Sequence, residues 1–268
     1  MSKIELDKYY TPDELAKYCV EKTKEIIGDE NIIEYLEPSA GSGVFLKYLD
    51  KPYLACDIEP EGENIVQADY LTLDLDYKKG RCIIGNPPFG KGNTLSVKFY
   101  KKAIKECDYI SFIQSISQLN NNQQMYEFDL IYSEDLGLKE YSGVKLHCCL
   151  NIYKRPLSNK LNKKPNYKLK DVKLIEVRKR NNKLTKQIDY NYYDIGICNA
   201  GSVGSITKYV GQYVNEIYIK ILNEKYKNKV LKLIKETNWK ELLNNISKPY
   251  ITVTNLYKYI KEQIPEIE

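Results

Sequence analysis

The tetrapeptide Asn86-Pro87-Pro88-Phe89 closes a short apolar run, Cys82-Ile83-Ile84-Gly85, and joins residue types suited to handling a flat amine. Two consecutive prolines stiffen the backbone. In such a turn the Asn86 side-chain oxygen and the Pro87 carbonyl can both face one planar NH2 group, while Phe89 offers a face for a ring to stack on. An aryl amine is a poor nucleophile because its lone pair is conjugated into the ring. Accepting hydrogen bonds from both N–H groups favours a pyramidal nitrogen and frees the lone pair to attack an electrophile held in line. A turn that merely ends a strand would explain the prolines but not the Asn and Phe beside them. Residues 85–92 also read G-N-P-P-F-G-K-G, close to the phosphate loop G-x-x-x-x-G-K-[ST]. That loop works through backbone N–H groups, which Pro87 and Pro88 lack, and Gly92 stands where its hydroxyl should be, so phosphate binding is not expected there.

Upstream, Glu37-Pro38-Ser39-Ala40-Gly41-Ser42-Gly43 links one apolar run to the next. Small residues at a strand-to-helix turn let a ligand approach backbone, and exposed N–H groups there attract carboxylate or phosphate. Taken alone, the two glycines are as readily a plain turn. The following run ends in Cys56-Asp57-Ile58, placing a carboxylate where a ribose diol is held in open α/β sheets. The next ends in Ala68-Asp69-Tyr70, where a second carboxylate can accept from the exocyclic amine of a purine. Either Asp alone reads as a loop residue; in this order they read as an adenosine site.

These groups need elements to hold them. Thr11-Pro12-Asp13-Glu14 has a capping residue, a proline suited to the first helical position and a glutamate three residues after the cap, and Leu15, Cys19, Lys22 and Ile26 follow at helical spacing. Apolar runs at 32–36, 53–56, 65–68, 82–84 and 109–113 read as strands, with helices expected at 44–49 and 95–107. That alternation predicts βαβ units and a parallel sheet. Runs at 130–132 and 144–153, separated by Gly137 and Gly143, predict an antiparallel hairpin closing the sheet. Beyond come a basic segment at 154–186, a short strand at 193–198, a turn at Asn199-Ala200-Gly201-Ser202-Val203-Gly204, and helical periodicity at 216–236 and 254–263. The expected organisation is a catalytic domain at 1–153 and, at 154–268, a basic segment with helices packing on the core.

Composition narrows the chemistry. The 268 residues, 43% hydrophobic and 29% charged, suit a globular chain rather than a disordered or fibrous one. The single histidine, His147, excludes most serine–histidine relays and multi-histidine metal sites. His147-Cys148-Cys149 alternate faces in an apolar strand, so they read as core and not as ligands. The seven cysteines show no C-x-x-C spacing, which fits a reducing compartment. No metal is expected. Without a long apolar stretch the chain reads as soluble, cytoplasmic or nucleoid-associated.

Tyr10-Thr11-Pro12, then Glu37-Pro38-Ser39-Ala40-Gly41-Ser42-Gly43, then Asn86-Pro87-Pro88-Phe89, in this order, resemble the motifs of S-adenosylmethionine-dependent N6-adenine DNA methyltransferases, with the gamma-like motif order. The resemblance covers about residues 9–155. It implies a Rossmann-like class I methyltransferase sheet, mostly parallel with an antiparallel hairpin, and S-adenosylmethionine as cofactor. It further implies that Tyr10, Thr11 and Pro12 border the methionine part, and that Glu37, Ser39, Ala40, Gly41 and Gly43 line the central part. Asp57 would hold the ribose, Ile58 pack on the adenine, and Asp69, beside Tyr70, accept from its amine. Asn86 and Pro87 would bind the target N6, and Pro88 and Phe89 complete the motif, with Phe89 stacking on a base flipped out of the duplex.

The formal net charge of +5 is unevenly placed. Residues 154–186 hold thirteen Lys and Arg against Asp171 and Glu176, a local +11, leaving −6 for everything else. A charge run is usually a solvated face; beside a base-modifying pocket it reads as a DNA-binding one. Lys154, Arg155, Lys163, Lys164, Lys168, Arg178 and Arg180 are the candidates, with double-stranded DNA the expected partner. Many gamma enzymes carry a larger recognition domain, so a small C-terminal recognition region, a homodimer and a partner subunit all stay open, as, separately, does an accompanying restriction endonuclease. Adenine in structured RNA, a protein glutamine amide, and a non-catalytic nucleic-acid-binding subunit are the rival readings.

Overall fold

Leu15, Cys19, Val20, Thr23 and Ile27 fall on one face at helical spacing, and they form the buried stripe of helix α1 (Asp13–Ile27). The computed structural model describes residues 9–268 apart from 122, 159, 181, 182, 185, 188, 199–205, 208–214, 240, 241 and 243–250, so the turn expected at 199–204 lies outside the described residues. Helix α1 ends at Gly28, whose φ of 84° suits glycine and whose N–H donates to the Lys24 carbonyl. Its N-cap is Pro12, not the expected Thr11, and no side chain caps it. The Thr11 hydroxyl is engaged elsewhere, in the site described below.

The chain folds as two compact units, Met1–Pro165 and Asn166–Glu268. In the first, strands β1 (Glu34–Glu37), β2 (Tyr53–Asp57), β3 (Val66–Gln67), β4 (Arg81–Gly85), β5 (Tyr109–Ser115), β6 (Asp129–Tyr141) and β7 (Val144–Lys154) form one sheet in the order β3-β2-β1-β4-β5-β7-β6. The first five pair in parallel, and β7 runs antiparallel to both β5 and β6. This is the expected Rossmann-like sheet, mostly parallel, with the closing hairpin where the sequence places it. Strands β1 and β4 are buried along their whole length, as parallel strands covered on both faces must be. From β1 the chain moves outward to β2, and from β4 outward to β5, so a crevice opens between the carboxyl ends of β1 and β4.

Two expected helices are shorter. Residues 44–49 form only a 3-10 turn at Leu46–Tyr48, because Leu49 is already extended and too few residues remain to repay helix nucleation. Helix α2 (Thr94–Ala103) stops before Cys107. In the hairpin, Ser142 (φ 51°) and Gly143 (φ 81°) form the two-residue turn between the paired Tyr141 and Val144. Gly137 is not a turn but sits at a register shift after Asp135, with φ 72°. Strand β5 ends opposite Cys148, so residues 136–141 and 144–147 continue as a two-stranded ribbon beyond it. His147 lies on that ribbon and is therefore exposed, 2.7 Å from Asp135, rather than in the core; Cys148 and Cys149 are buried as expected.

The second unit corrects three expectations. Residues 216–221 are not helical: Ile217, Ile219 and Ile221 alternate with Glu216, Tyr218 and Lys220, and the β-branched residues make strand β12 (Asn215–Ile221). The basic segment contains strand β8 (Val172–Arg180). With β9 (Lys183–Leu184), β10 (Ile195–Cys198) and β11 (Ile206–Thr207) these build an antiparallel sheet in the order β11-β10-β12-β8-β9. Helices α3 (Glu224–Glu236) and α4 (Val253–Gln263) bury Val230, Ile234, Leu256 and Ile260 in a core with Ile195, Ile197, Ile217 and Ile219. The helices thus complete a core of this unit's own. Among the described residues no helix is long and apolar enough to cross a membrane.

Candidate active site

A cavity of about 330 Å³ opens at the carboxyl edge of the first sheet. Its wall brings together Tyr10, Thr11, Glu37, Ser39, Ala40, Gly41, Asp57, Ile58, Asp69, Tyr70, Asn86 and Pro88, all singled out from sequence. Pro12, Gly43, Pro87 and Phe89 are not on it. Tyr9, Val44, Phe45, Leu71, Leu95 and Phe99 are on it and were not foreseen; their only sequence signal is the i, i+4 spacing of Leu95 and Phe99.

The glycine turn is built for close approach. Gly41 has φ 53°, and a Cβ there would lie 3.1 Å from the Tyr10 ring. Its N–H donates to Asp57 Oδ2 (2.8 Å) and its carbonyl accepts from Glu61 N–H (2.8 Å). Asp57 Oδ1 accepts from Glu59 N–H (2.8 Å), so this carboxylate orders two loops while each oxygen keeps a lone pair for a ligand diol. Gly43 stands behind the wall, its φ of 77° and its closeness to Leu46 and Ile65 shaping the turn. Asp69 Oδ1 accepts from Leu71 N–H (2.9 Å). The Tyr70 hydroxyl donates to Glu106 Oε2 (2.8 Å), and its buried ring packs beside Phe99, 5.4 Å between centres. Ile58 is half exposed.

Glu37, at the end of β1, is 1% exposed. Its Oε2 and the Ser39 Oγ are buried without a hydrogen-bond partner among the described residues. Gly85 makes room for it, since a Cβ at Gly85 would stand 3.3 Å from Glu37 Cγ. Burial, reinforced by repulsion from Asp57, holds the Glu37 carboxyl well above the usual carboxylate range. The folded state therefore keeps a proton that the unfolded chain releases, and stability is greatest below the ordinary glutamate value. It falls as pH rises from about 4.3 toward the folded value, by up to about 1.4 kcal/mol per pH unit. Urea unfolding between pH 4 and 8 should show this slope, and Glu37→Gln should flatten it; an equal slope in both proteins would place the titration elsewhere.

Asn86 follows β4 at the crevice. Its Nδ2 donates to the Tyr9 carbonyl (3.1 Å) and to Thr11 Oγ1 (3.2 Å). A carbonyl can only accept, so chemistry alone turns the amide NH2 toward residues 9–11 and Oδ1 away from them. Among the described residues no donor meets Oδ1. Pro87 is buried, and Phe89 is half-buried against the core, its carbonyl accepting from Leu95 N–H (3.1 Å).

The basic residues divide into two kinds. Arg155 is taken up by the first unit and is not a free cation: Nη2 donates to the Ile104 and Cys107 carbonyls (2.6 and 2.8 Å), Nε pairs with Asp108 (3.2 Å), and the guanidinium lies 4.9 Å from the ring centres of both Tyr77 and Phe128. Removing it would take a donor from those carbonyls and the cation from Asp108, whose carboxylate would keep only the Tyr77 hydroxyl and the Gly80 N–H, so Arg155→Ala should lower unfolding free energy by about 2–4 kcal/mol. A urea midpoint unchanged from wild type would contradict that. Lys154 is half-buried at the end of β7, and Arg178 pairs with Glu176 at 2.9 Å. Lys163, Lys164, Lys168 and Arg180 are exposed.

No family model matches the chain, and no curated protein matches it by sequence. Among solved structures, a candidate RNA methyltransferase from Pyrococcus horikoshii is similar over 57% of this chain and 90% of its own, at 17% identity and a TM-score of 0.47. A Thermoplasma acidophilum protein matches over 57% of this chain and 94% of its own, at 20% identity and a TM-score of 0.42. The 23S rRNA methyltransferase ErmE matches over 56% and 70%, at 13% identity and a TM-score of 0.42.

Proposed function

We propose that this protein transfers a methyl group from S-adenosylmethionine to the N6 amine of adenine in DNA. The observation that carries this reading is Asn86, whose NH2 is anchored by Tyr9 and Thr11 so that Oδ1 is left as a fixed, unpaired acceptor at the cavity wall. The cavity suits the cofactor. Orphaned Glu37 Oε2 and Ser39 Oγ provide acceptors for a cationic ligand, Gly41 leaves space no Cβ could share, and Asp57 retains lone pairs for a diol. Ile58 would pack on the adenine ring and Asp69 accept from its amine. When bound, the cofactor supplies a methyl group activated on a positively charged sulfur.

The chain's own part is positioning. Asn86 Oδ1 and the Pro87 carbonyl would accept from the two N–H groups of the target amine, holding its lone pair toward the cofactor cavity. Phe89, half-buried and outside that cavity, would stack on the target ring. A base in a duplex cannot reach this edge, so the target flips out at a cost of a few kcal/mol. Exposed Lys163, Lys164 and Lys168 would neutralise phosphates.

Methyl transfer from labelled cofactor should be followed to unmodified DNA, total RNA and protein, with digestion to identify the modified group. Label in N6-methyladenine from DNA is the expected result. Label only in RNA or only in protein would overturn the DNA reading.

A further inference from the structure

The Asn86 amide is held by residues 9 and 11, which raises the question of what holds residue 10. The Tyr10 backbone N–H donates to Ser142 Oγ at 2.9 Å, across 132 positions of sequence. Ser142 is the first residue of the turn at the tip of the β6–β7 ribbon and has φ 51°. That conformation suits glycine, asparagine or aspartate better than serine, so the turn alone does not account for a serine there. The ribbon reaches residue 10 beyond a register shift at Gly137. Past Gly137 it leaves the end of β5, and Leu136, Tyr141 and Cys148 bury themselves with Leu15, Ala16 and Cys19 of α1. The tip thereby meets the strap of residues 9–11 just ahead of α1.

We propose that Ser142 is a positioning residue for Asn86, acting through this strap. By accepting the Tyr10 N–H it fixes the backbone between the Tyr9 carbonyl and the Thr11 hydroxyl, the two groups that orient the Asn86 NH2 and so aim Oδ1. Tyr10 is also held through its side chain, with the ring on Gly41 and the hydroxyl on Glu61, and Ser142 adds a hold on its backbone. The proposal rests on the catalytic reading of Asn86 for its kinetic consequence, but not for its geometry.

Ser142→Gly and Ser142→Asn both suit a positive φ and should both keep the turn, while only asparagine carries an oxygen able to accept the Tyr10 N–H. Two readouts on the full chain separate the possibilities: solvent exchange of the Asn86 side-chain NH2 by NMR, and kcat against KM for whichever substrate the wild type methylates. The glycine variant should exchange its Asn86 NH2 about tenfold faster and lose about tenfold in kcat, with KM little changed. The asparagine variant should match wild type in both. Unchanged Asn86 exchange and kcat in the glycine variant, or equal losses in both variants, would overturn the role of Ser142. If the wild type methylates neither DNA, RNA nor protein, the catalytic reading falls, and the exchange measurement alone then upholds or overturns the Ser142 linkage.

Discussion

Asn86→Ala should lower the rate of methyl transfer by about 10³-fold, equivalent to about 4 kcal/mol, while leaving S-adenosylmethionine affinity within a few-fold of wild type. The size follows from the geometry. The alanine variant loses the oriented Oδ1, and on the proposed reading the penalty is felt only when the amine nitrogen becomes pyramidal. The cofactor cavity keeps its glycine turn, Glu37, Asp57 and Asp69, none of which depends on the Asn86 side chain for a hydrogen bond. Single-turnover kinetics with calorimetric cofactor binding measures both quantities, and parallel losses in rate and affinity would show that Asn86 only shapes the cavity. Asn86→Asp separates the two halves of the amide. It keeps an acceptor but replaces the anchoring NH2 with an oxygen that faces the Tyr9 carbonyl, so its rate should fall as well, with Oδ1 free to turn.

Replacing Lys163, Lys164 and Lys168 together with alanine should weaken DNA binding steeply and flatten its salt dependence. If each side chain meets one phosphate, the slope of log K against log salt should decrease by about 2.7. Turnover at saturating DNA should change little, because the three lie outside the cavity wall. Binding titrations between 50 and 200 mM salt, about the range over which such contacts separate, provide the measurement. An unchanged slope would mark these lysines as a solvated surface. Arg155 supplies the contrast: it belongs to the same basic run in sequence, yet its guanidinium is spent on Ile104, Cys107 and Asp108, so its loss should appear in unfolding and not in the salt slope.

The legible part of this protein is the part written locally. Strand-ending carboxylates, a glycine turn and Asn86-Pro87-Pro88-Phe89 each lie within a few residues of a strand terminus. In a parallel sheet all such termini fall on one edge, so their order along the chain was enough to bring them to that edge, though Gly43, Pro87 and Phe89 stand off the cavity wall. The hairpin that closes the sheet was legible for the same reason, from Gly143 between two apolar runs. Less was legible where a short segment could satisfy either period. Residues 216–221 carry apolar side chains compatible with a helix, and pairing with β8 and β10 decides for a strand. A sum of charge likewise does not reveal that one arginine of thirteen basic residues is half-buried against two rings.

By itself, then, the sequence determined which residues meet at the sheet edge and what chemistry their types allow, because motif order and strand direction together settle that. Only the tertiary structure decided how the amide of Asn86 is aimed. Its orientation depends on a carbonyl at residue 9, a hydroxyl at residue 11 and a serine at 142, and hydrogen bonds between positions so far apart in sequence leave no periodic pattern along the chain. The hydroxyl of Thr11, which local rules assign to a helix cap, goes instead to Asn86, since Pro12 can begin the helix without it.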